Sequence, residues 1–337
     1  MATYSNSPIL IALAWGLGSL VIVFCAARLW IRKVIIDRAS WDDIFMTLAA
    51  IFAIICSAFV TTAVHYGLGR HIENITDPYS RQMAIKYTIL APSFSLVSAT
   101  LSKISILIFL TRLIGVAATR LHLACLWTLG GILVIANFIA IVVLLRFCIP
   151  IEKQWNPGVK GSCISPVLHS YSGIIPSAYT AFMDIVLAVF PSIIITQLNI
   201  SRKMKISLCC LMGGSIFATG ATIAKIYFMR TKNLGNHNDI TWTWSSIAIW
   251  YLCEMHVIII AGNIPTLWPV LKGFIKKKGG NSGSSGSYLN ASGNTERSEA
   301  VRLSDMNGTK KAGPATRVLR DIDDMLTVRA LDDNGEA

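Results

Sequence analysis

Seven long apolar segments separated by polar loops occupy most of the first 271 residues of the chain. Each approaches or exceeds the roughly 20 residues that an α-helix needs to cross about 30 Å of hydrocarbon. Their polar boundaries give the ranges 9–31, 44–64, 87–110, 123–145, 174–198, 206–229 and 247–271. This pattern predicts an all-α polytopic membrane protein, with seven transmembrane helices in a single domain of residues 1–278.

The composition fits a membrane protein and excludes a soluble one. Hydrophobic residues make up 53% of the chain and charged residues only 14%, which departs from the usage of ordinary soluble domains. The formal net charge of +12 does not indicate nucleic-acid binding, because the basic residues lie in short loops and form no basic-aromatic patch. The lipid bilayer is the expected environment, for an integral multi-pass protein of the plasma membrane or an endomembrane.

Lysine and arginine are distributed unequally between the two sets of connecting segments. Twelve of them occupy the 37 positions of one set, residues 32–43, 112–122, 199–205 and 272–278. Eight occupy the 75 positions of the other set, residues 1–8, 65–86, 146–173 and 230–246. Because cytoplasmic loops are enriched in basic residues, the asymmetry predicts an amino terminus outside and a carboxyl terminus in the cytosol (N-out/C-in).

The chain changes character after the last apolar segment. Residues 279–287 are rich in glycine and serine, and the rest of the chain to residue 337 is polar with mixed charges. Residues 279–337 are therefore predicted to form a disordered cytosolic tail. Residues 318–331 mix aliphatic side chains with Arg and Asp and could fold against a cytosolic partner, with a solvated tail as the alternative.

Two cysteines lie in a loop, while the other six lie inside apolar segments and are expected to pack as small hydrophobic residues. Cys148 and Cys163 fall on the predicted outer side, where a disulfide closing this loop would persist. Two unrelated free thiols are the alternative. Asn74 opens a glycosylation sequon, Asn74-Ile75-Thr76, on the same side, so we expect a glycan there.

Four ionisable residues lie well inside apolar segments: Lys103, Asp184, Lys225 and Glu254. A charge at the centre of a bilayer costs about 2.5–3.5 kcal/mol on insertion scales, so each must face the helix bundle and find a partner. Similar depths favour a Lys225–Glu254 pair first and an Asp184–Lys103 pair second. The charges either line a ligand pocket or switch, act in acid–base chemistry, or form interior pairs that fix helix register.

Small and hydroxyl-bearing residues accompany three of these charges. Spacings of three and four place them on the faces that carry Lys225 and Asp184, and a row of serines runs beside Lys103. The three groups are Gly214, Ala218 and Ala221; Ser177, Ala181, Ala188 and Pro191; and Ser95, Ser98, Ser102 and Ser105. We expect these faces to pack against other helices.

Three further features have simpler interpretations. Residues 65–71 contain two histidines and two glycines but no cysteine or acidic ligand, so we predict a tight extracellular turn rather than a metal or phosphate site. Trp41, Asp42 and Asp43 are interpreted as an interfacial anchor and a helix cap. His256 is interpreted as a buried, hydrogen-bonded histidine, and no metal or cofactor is predicted.

A series of short motifs occurs in order between residues 10 and 272. They are Trp41-Asp42-Asp43, Tyr66-Gly67-Leu68-Gly69-Arg70-His71, Lys103-Ile104-Ser105 with Arg112, Cys148-x-Pro150 with Trp155 and Cys163, Asp184 with Pro191 and Arg202-Lys203, and Trp250-x-x-x-Glu254 with Pro265 and Pro269. In this combination the chain resembles the fungal rhodopsin-domain membrane proteins, which include receptor-like proteins and proteins encoded in secondary-metabolite gene clusters. The resemblance implies a receptor-like protein or an accessory of secondary-metabolite biosynthesis, rather than an enzyme.

The resemblance does not extend to retinal or G-protein chemistry. Retinal binding needs a Schiff-base lysine in the last helix, and residues 247–271 contain none. Arg112-Leu113-Ile114 stands where animal receptors carry Asp-Arg-Tyr, so G-protein coupling is not indicated.

Three classes of function remain, and each predicts a different site. A receptor-like protein predicts a pocket for a small lipophilic ligand that opens outward among the third, fifth, sixth and seventh helices, and a basic cytosolic surface at Arg202, Lys203 and Lys205. A membrane enzyme, such as a cyclase with Glu254 or Asp184 as the acid, predicts a carboxyl group that faces a pocket without a cationic partner. A carrier needs paired, broken helices at the midplane, and it ranks last because only Pro191 and Pro265 are counted as interruptions.

Overall fold

The computed structural model describes residues 5–33, 40–114, 120–156, 158–197, 202–233 and 240–279, and within these ranges it contains seven long α-helices. They are α1 (Ser7–Ile31), α2 (Trp41–His65), α3 (Pro78–Ile114), α4 (Arg120–Leu145), α5 (Pro166–Gln197), α6 (Arg202–Asn233) and α7 (Ile240–Gly279). All seven are long and apolar enough to cross a membrane. The prediction of an all-α, multi-pass membrane protein is confirmed.

The described chain divides into two compact units, Met1–Trp268 and a second that begins at Pro269. The first unit contains the seven membrane spans. In the second unit only the last part of α7 lies within the described residues. The tail predicted for residues 279–337 lies outside them apart from Gly279, so the boundary at residue 278 stays a prediction.

Helices α3 and α7 form the centre of the bundle. Within an apolar 18-residue stretch of each helix, 56% of the residues of α3 and 67% of those of α7 are buried, against 28% in α1 and in α4. The predicted serine row of α3 is buried, and it bonds to the backbone of α2. Ser98 Oγ donates to the Ala49 carbonyl at 2.7 Å and Ser105 Oγ to the Asp42 carbonyl at 2.6 Å. The two contacts are seven residues apart on each helix, so they fix the antiparallel register of α2 and α3 over two turns.

The predicted turn after α2 is present, and it joins the ends of three helices. Gly67 has a φ of 121° and Gly69 a φ of 91°, values that favour glycine because it lacks a Cβ atom. The Gly69 carbonyl accepts a hydrogen bond from the Asn6 amide at 3.1 Å, and the Arg70 carbonyl accepts one from Thr241 Oγ1 at 2.9 Å. The turn therefore connects the end of α2 to the beginnings of α1 and α7.

The loop between α4 and α5 is closed by the predicted disulfide between Cys148 and Cys163. The two cysteines face each other in a two-stranded antiparallel ladder of β1 (Cys148–Ile149) and β2 (Ser162–Cys163). Gln154 Nε2 donates to the carbonyl of Leu145 at the end of α4, at 3.0 Å. Lys86 of α3 lies 5.6 Å from the ring centre of Trp155, a cation–π contact. The loop is thus fastened to the ends of two helices.

Candidate functional site

The four charged residues predicted to face the bundle interior form one connected network. Lys225 Nζ of α6 donates to Glu254 Oε2 of α7 at 2.6 Å, and Lys103 Nζ of α3 donates to Asp184 Oδ2 of α5 at 3.1 Å. Both pairings expected from helix depth are therefore present. Lys103 Nζ also lies 3.8 Å from Glu254 Oε1, a link that the sequence analysis did not predict, and it joins the pairs into an alternating chain across α5, α3, α7 and α6.

All four side chains are buried, with relative exposures of 1% for Lys103, 0% for Asp184, 6% for Lys225 and 3% for Glu254. An unpaired charge would be costly at this depth. Two cations and two anions in contact offset one another, because each supplies the opposite charge that its neighbours need. The network is consequently neutral as a whole.

The small residues of α6 allow the close approach that forms the Lys225–Glu254 pair. A Cβ atom added at Gly214 would collide with Ala261 of α7, so the two backbones pack in direct contact at this point. Ala218 and Ala221, on the same face as Lys225, are buried. The small-residue face predicted for α6 is confirmed, since close packing of α6 on α7 brings the lysine to the carboxylate.

A cavity of about 110 Å³ lies beside the Lys225–Glu254 pair. Its volume is sufficient for several water molecules. It lies between five helices and is lined by Pro92, Ser95, Leu96 and Ala99 of α3; Ala140 and Leu144 of α4; Ser170, Ser172, Gly173, Pro176 and Ser177 of α5; Lys225 and Met229 of α6; and Trp244, Ile247, Tyr251 and Glu254 of α7. A cavity is thus present among the third, fifth, sixth and seventh helices, and α4 contributes to it as well.

The cavity lies toward the end of the bundle that carries the disulfide loop. Leu144 is in the last turn of α4, and Ser170 and Gly173 are in the first turns of α5. Met229 and Trp244 come from the end of α6 and the beginning of α7. Lys225 and Glu254 lie deeper along their helices. The ion pair therefore forms the inner, polar part of a cavity whose other walls are mostly apolar.

The carboxyl groups do not match the expectation for a membrane enzyme. Glu254 lines the cavity, but it is bonded to Lys225 at 2.6 Å. Asp184 is bonded to Lys103 at 3.1 Å and does not line the cavity. Acid catalysis needs a carboxyl group that can hold and deliver a proton. Each of the two carboxyl groups therefore has a cationic partner, whereas the enzyme hypothesis predicts a carboxyl group in the cavity without one.

The helices contain more internal prolines than the sequence analysis counted. Pro92 lies inside α3 and Pro176 inside α5, in addition to Pro191, and both line the cavity. Each proline removes one backbone donor from its helix, yet α3 and α5 continue through these positions. The larger number of prolines thus does not produce the broken helices that a carrier needs, at least in the described parts of α3 and α5.

A second buried polar cluster, centred on Arg28, was not predicted. Arg28 of α1 is 2% exposed and forms ion pairs with both acids at the start of α2. Its Nε donates to Asp43 Oδ1 at 2.7 Å. Its Nη1 donates to the Gly262 carbonyl at 3.2 Å and to Thr266 Oγ1 at 3.0 Å, both in α7. One side chain therefore connects α1, α2 and α7.

Trp41, the residue of this group suited to an interfacial anchor, is 73% exposed, whereas the two acids beside it, Asp42 and Asp43, are buried. Asp42 is only 1% exposed and Asp43 3%, because both carboxylates form ion pairs with the buried guanidinium of Arg28. The capping role is confirmed, since the Ser40 amide donates to Asp43 Oδ2 at 3.2 Å in a capping box. The sequence could have predicted this contact. Arg28 lies in the last turn of the first apolar segment, and the two acids begin the second helix after a short loop, so the three side chains lie at a similar depth in the bundle.

The remaining predicted residues have the following positions. His256 is buried, with Nδ1 2.8 Å from the Leu252 carbonyl and Nε2 3.4 Å from Ser57 Oγ, as predicted. Asn74 is exposed in the short 3₁₀ helix Ile72–Asn74. The side chains of Arg202 and Lys203 lie outside the described residues. In the part of the chain that is described, no three His, Cys, Asp or Glu side chains cluster as metal ligands do.

Comparisons with known proteins match most of the chain. A family model described as Fungal rhodopsin domain matches residues 27–273. The chain is 24% identical to wortmanamides biosynthesis cluster protein C of Talaromyces wortmannii, over 75% of this chain and 68% of that protein. It is 24% identical to a polyenoic acids biosynthesis gene cluster protein of Metarhizium anisopliae, over 78% and 75%. It is 22% identical to a SAT4 family membrane protein of Emericella nidulans, over 75% and 60%. No solved structure matches the chain.

Proposed function

We propose, because the chain belongs to the fungal rhodopsin domain family, that it serves secondary metabolism as a receptor-like or accessory membrane protein that binds a small lipophilic molecule. Two of its relatives are named as proteins of biosynthesis clusters, one for wortmanamides and one for polyenoic acids. The observation that carries the proposal is the cavity with apolar walls and one buried ion pair. Pockets for small ligands have this make-up, an apolar surface with a few polar groups that orient the ligand.

The walls of the cavity suit a ligand that partitions into the bilayer. Leu96, Ala99, Leu144 and Ile247 offer apolar contact, which favours a hydrocarbon group by roughly 25 cal/mol per Å² of buried surface. The Lys225–Glu254 pair supplies the charged contact, and the serines that line the cavity add hydroxyl groups. A molecule with an apolar body and one polar group would be oriented with that group toward the pair.

The proposed orientation is N-out/C-in, which opens the cavity toward the outside. It is supported by the higher density of lysine and arginine in the loops assigned to the cytosol. In this orientation Asn74 and the disulfide loop are extracellular or lumenal, Asn74 carries a glycan, and residues 279–337 form a cytosolic tail that can contact a partner. The host membrane is the plasma membrane or an endomembrane.

Metabolite profiling of a deletion strain tests the proposed function. The strain should lose a secondary metabolite or a response to one, and the wild-type gene should restore it. Ala140→Phe should fail to restore it, because Ala140 lines the cavity and is only 6% exposed, so a phenyl ring would occupy the space. The control is Ile139→Phe, at a neighbouring position that is 55% exposed.

The outcomes separate the classes of function. Restoration by Ile139→Phe alone supports a ligand-binding cavity. Equal restoration by both variants would mean that the cavity is not used, and the proposal would be abandoned. Accumulation of one precursor, together with its conversion by the purified wild-type protein, would instead identify a membrane enzyme.

A further inference from the structure

The two charges that line the inner end of the cavity differ in how many opposite charges they contact. Glu254 lies between two lysines, 2.6 Å from Lys225 Nζ and 3.8 Å from Lys103 Nζ. Lys103 and its other partner, Asp184, do not line the cavity. Within the described residues Lys225 has one carboxylate partner, Glu254. The cation that lines the cavity is therefore less fully paired than the anion, and it is the charge that a ligand can engage.

Lys225 can donate more hydrogen bonds than Glu254 uses. A lysine ammonium group carries three N–H donors, and its bond within the described part of the chain is the one to Glu254. Lys225 lines the cavity, so the inference requires that an acceptor bound there reaches the remaining donors. If the ligand draws Lys225 away from Glu254, Lys103 still lies within ion-pair distance of the Glu254 carboxylate.

From these observations we infer that the cavity binds a small lipophilic carboxylate. The inference rests on the proposed function and specifies its ligand class. The carboxylate accepts hydrogen bonds from Lys225 Nζ, and the apolar part lies among Leu96, Ala99, Leu144 and Ile247. A hydroxyl or a neutral amide can also accept a hydrogen bond from the Lys225 ammonium, but a carboxylate adds the Coulombic attraction of a full opposite charge.

A cationic ligand is disfavoured by the same geometry. An amine in the cavity would lie close to Lys225 and would have to compete with two lysines for Glu254. The amine would thus lie beside an ammonium group that has one carboxylate partner, whereas a carboxylate ligand would lie beside Glu254, whose charge is offset by two lysines. The arrangement therefore selects by charge as well as by hydrogen bonding.

The test uses the full chain purified in lipid nanodiscs and four probes with the same six-carbon chain: hexanoate, hexanamide, hexan-1-ol and hexylamine. Binding is measured from the concentration dependence of the unfolding temperature, since a ligand that binds the native state stabilises it. Hexanoate should bind at least tenfold more tightly than hexan-1-ol or hexanamide, and hexylamine should bind most weakly.

Two variants assign the selectivity to Lys225. The double replacement Lys225→Met with Glu254→Gln removes both charges of the pair and should bind hexanoate no better than hexan-1-ol. Lys86→Met makes the same lysine replacement toward the same end of the bundle, but Lys86 does not line the cavity, so the preference for hexanoate should persist. Should the double variant fail to fold, Lys225→Arg takes its place and should retain the preference, because the cation remains.

The results also separate this inference from the proposed function. Equal binding of hexanoate and hexan-1-ol, or tightest binding of hexylamine, would overturn the carboxylate class while leaving a lipophilic pocket in place. Persistence of the hexanoate preference in the double variant would assign it to another group and overturn the inference too. If no probe binds, the inference fails, and the proposed function then depends on the Ala140→Phe complementation.

Discussion

At the scale of residues, each buried charged side chain of this bundle is stabilised by an oppositely charged partner on another helix. Lys225 and Glu254 were recognisable from sequence because a charge inside an apolar segment is rare and must be paired, and because both lie at a similar depth. Arg28 escaped recognition because it stands near the end of its segment, where a long basic side chain usually reaches the interface. In the structure it reaches inward to Asp43 instead.

Breaking the Lys225–Glu254 pair should destabilise the protein more than removing both charges. Lys225→Met and Glu254→Gln each leave one buried charge without its closest partner, which costs about 3–5 kcal/mol in the free energy of unfolding. The double variant should recover much of this loss. The yield and unfolding temperature of purified protein measure the effect, with Lys86→Met as the control.

A different result for Glu254 would change its role. If Glu254→Gln leaves the unfolding temperature intact and abolishes the metabolite or response, the carboxylate is not needed for stability. It would then be a residue that contacts the ligand or the reacting group.

Arg28 should not tolerate lysine. Its guanidinium contacts Asp42, Asp43 and two groups of α7, and a single ammonium group cannot reproduce this fork of donors. Arg28→Lys should lower the free energy of unfolding by about 2–4 kcal/mol. Arg32→Lys is the matched control, because Arg32 contacts the same acids at the longer distance of 3.4 Å and, among the described residues, makes none of the contacts of Arg28 with α7, so its effect should be smaller than that of Arg28→Lys. Equal effects would contradict the central role of Arg28.

At the scale of helices, hydropathy identifies the part of each helix that spans the bilayer, whereas polar capping residues determine where the helix begins and ends. Helix α3 begins at Pro78, although its apolar segment begins only at residue 87. The Asp77 carboxylate accepts hydrogen bonds from the Ser80 hydroxyl at 2.6 Å, the Ser80 amide at 3.0 Å and the Tyr79 amide at 3.2 Å. These bonds satisfy donors that the first turn leaves free, so the helix starts well before its lipid-matched segment.

The cap makes the start of α3 sensitive to acid. Hydrogen bonds from the Ser80 side chain, then from the Ser80 and Tyr79 amides, favour the carboxylate and lower the pKa of Asp77. A group whose pKa is lowered in the folded state stabilises that state above its unfolded pKa and loses this effect as the pH falls through the folded pKa. Hydrogen exchange of the Ser80 amide should therefore accelerate as the pH falls below about 4, the unfolded pKa of an aspartate, after correction for intrinsic exchange. Asp77→Asn, which accepts bonds but does not titrate, should show no such change.

At the scale of the whole molecule, features that depend on one segment or one loop could be predicted from the sequence. Contacts between helices that are far apart in the sequence could not. Seven spans follow from segment length, and the disulfide from the fact that Cys148 and Cys163 alone lie in a loop. Depth along neighbouring helices was enough to propose two ion pairs. The 3.8 Å approach of Lys103 to Glu254 and the contacts of Arg28 with α7 depend on how nonconsecutive helices pack, which spacing along one helix does not encode.

The orientation of the bundle gives the last prediction. The first described residues contact the turn after α2, and two further spans bring the chain back to the disulfide loop on the same side. A disulfide persists in an oxidising compartment, and the basic residues are concentrated at the opposite end, so both arguments predict that this side faces away from the cytosol. Asn74→Gln should remove a glycan-sized mass, and a reporter fused after residue 280 should be cytosolic. Protection of residue 280 from a cytosolic labelling reagent, with labelling of position 74 from the cytosol, would require the inverted orientation and a cavity that opens inward.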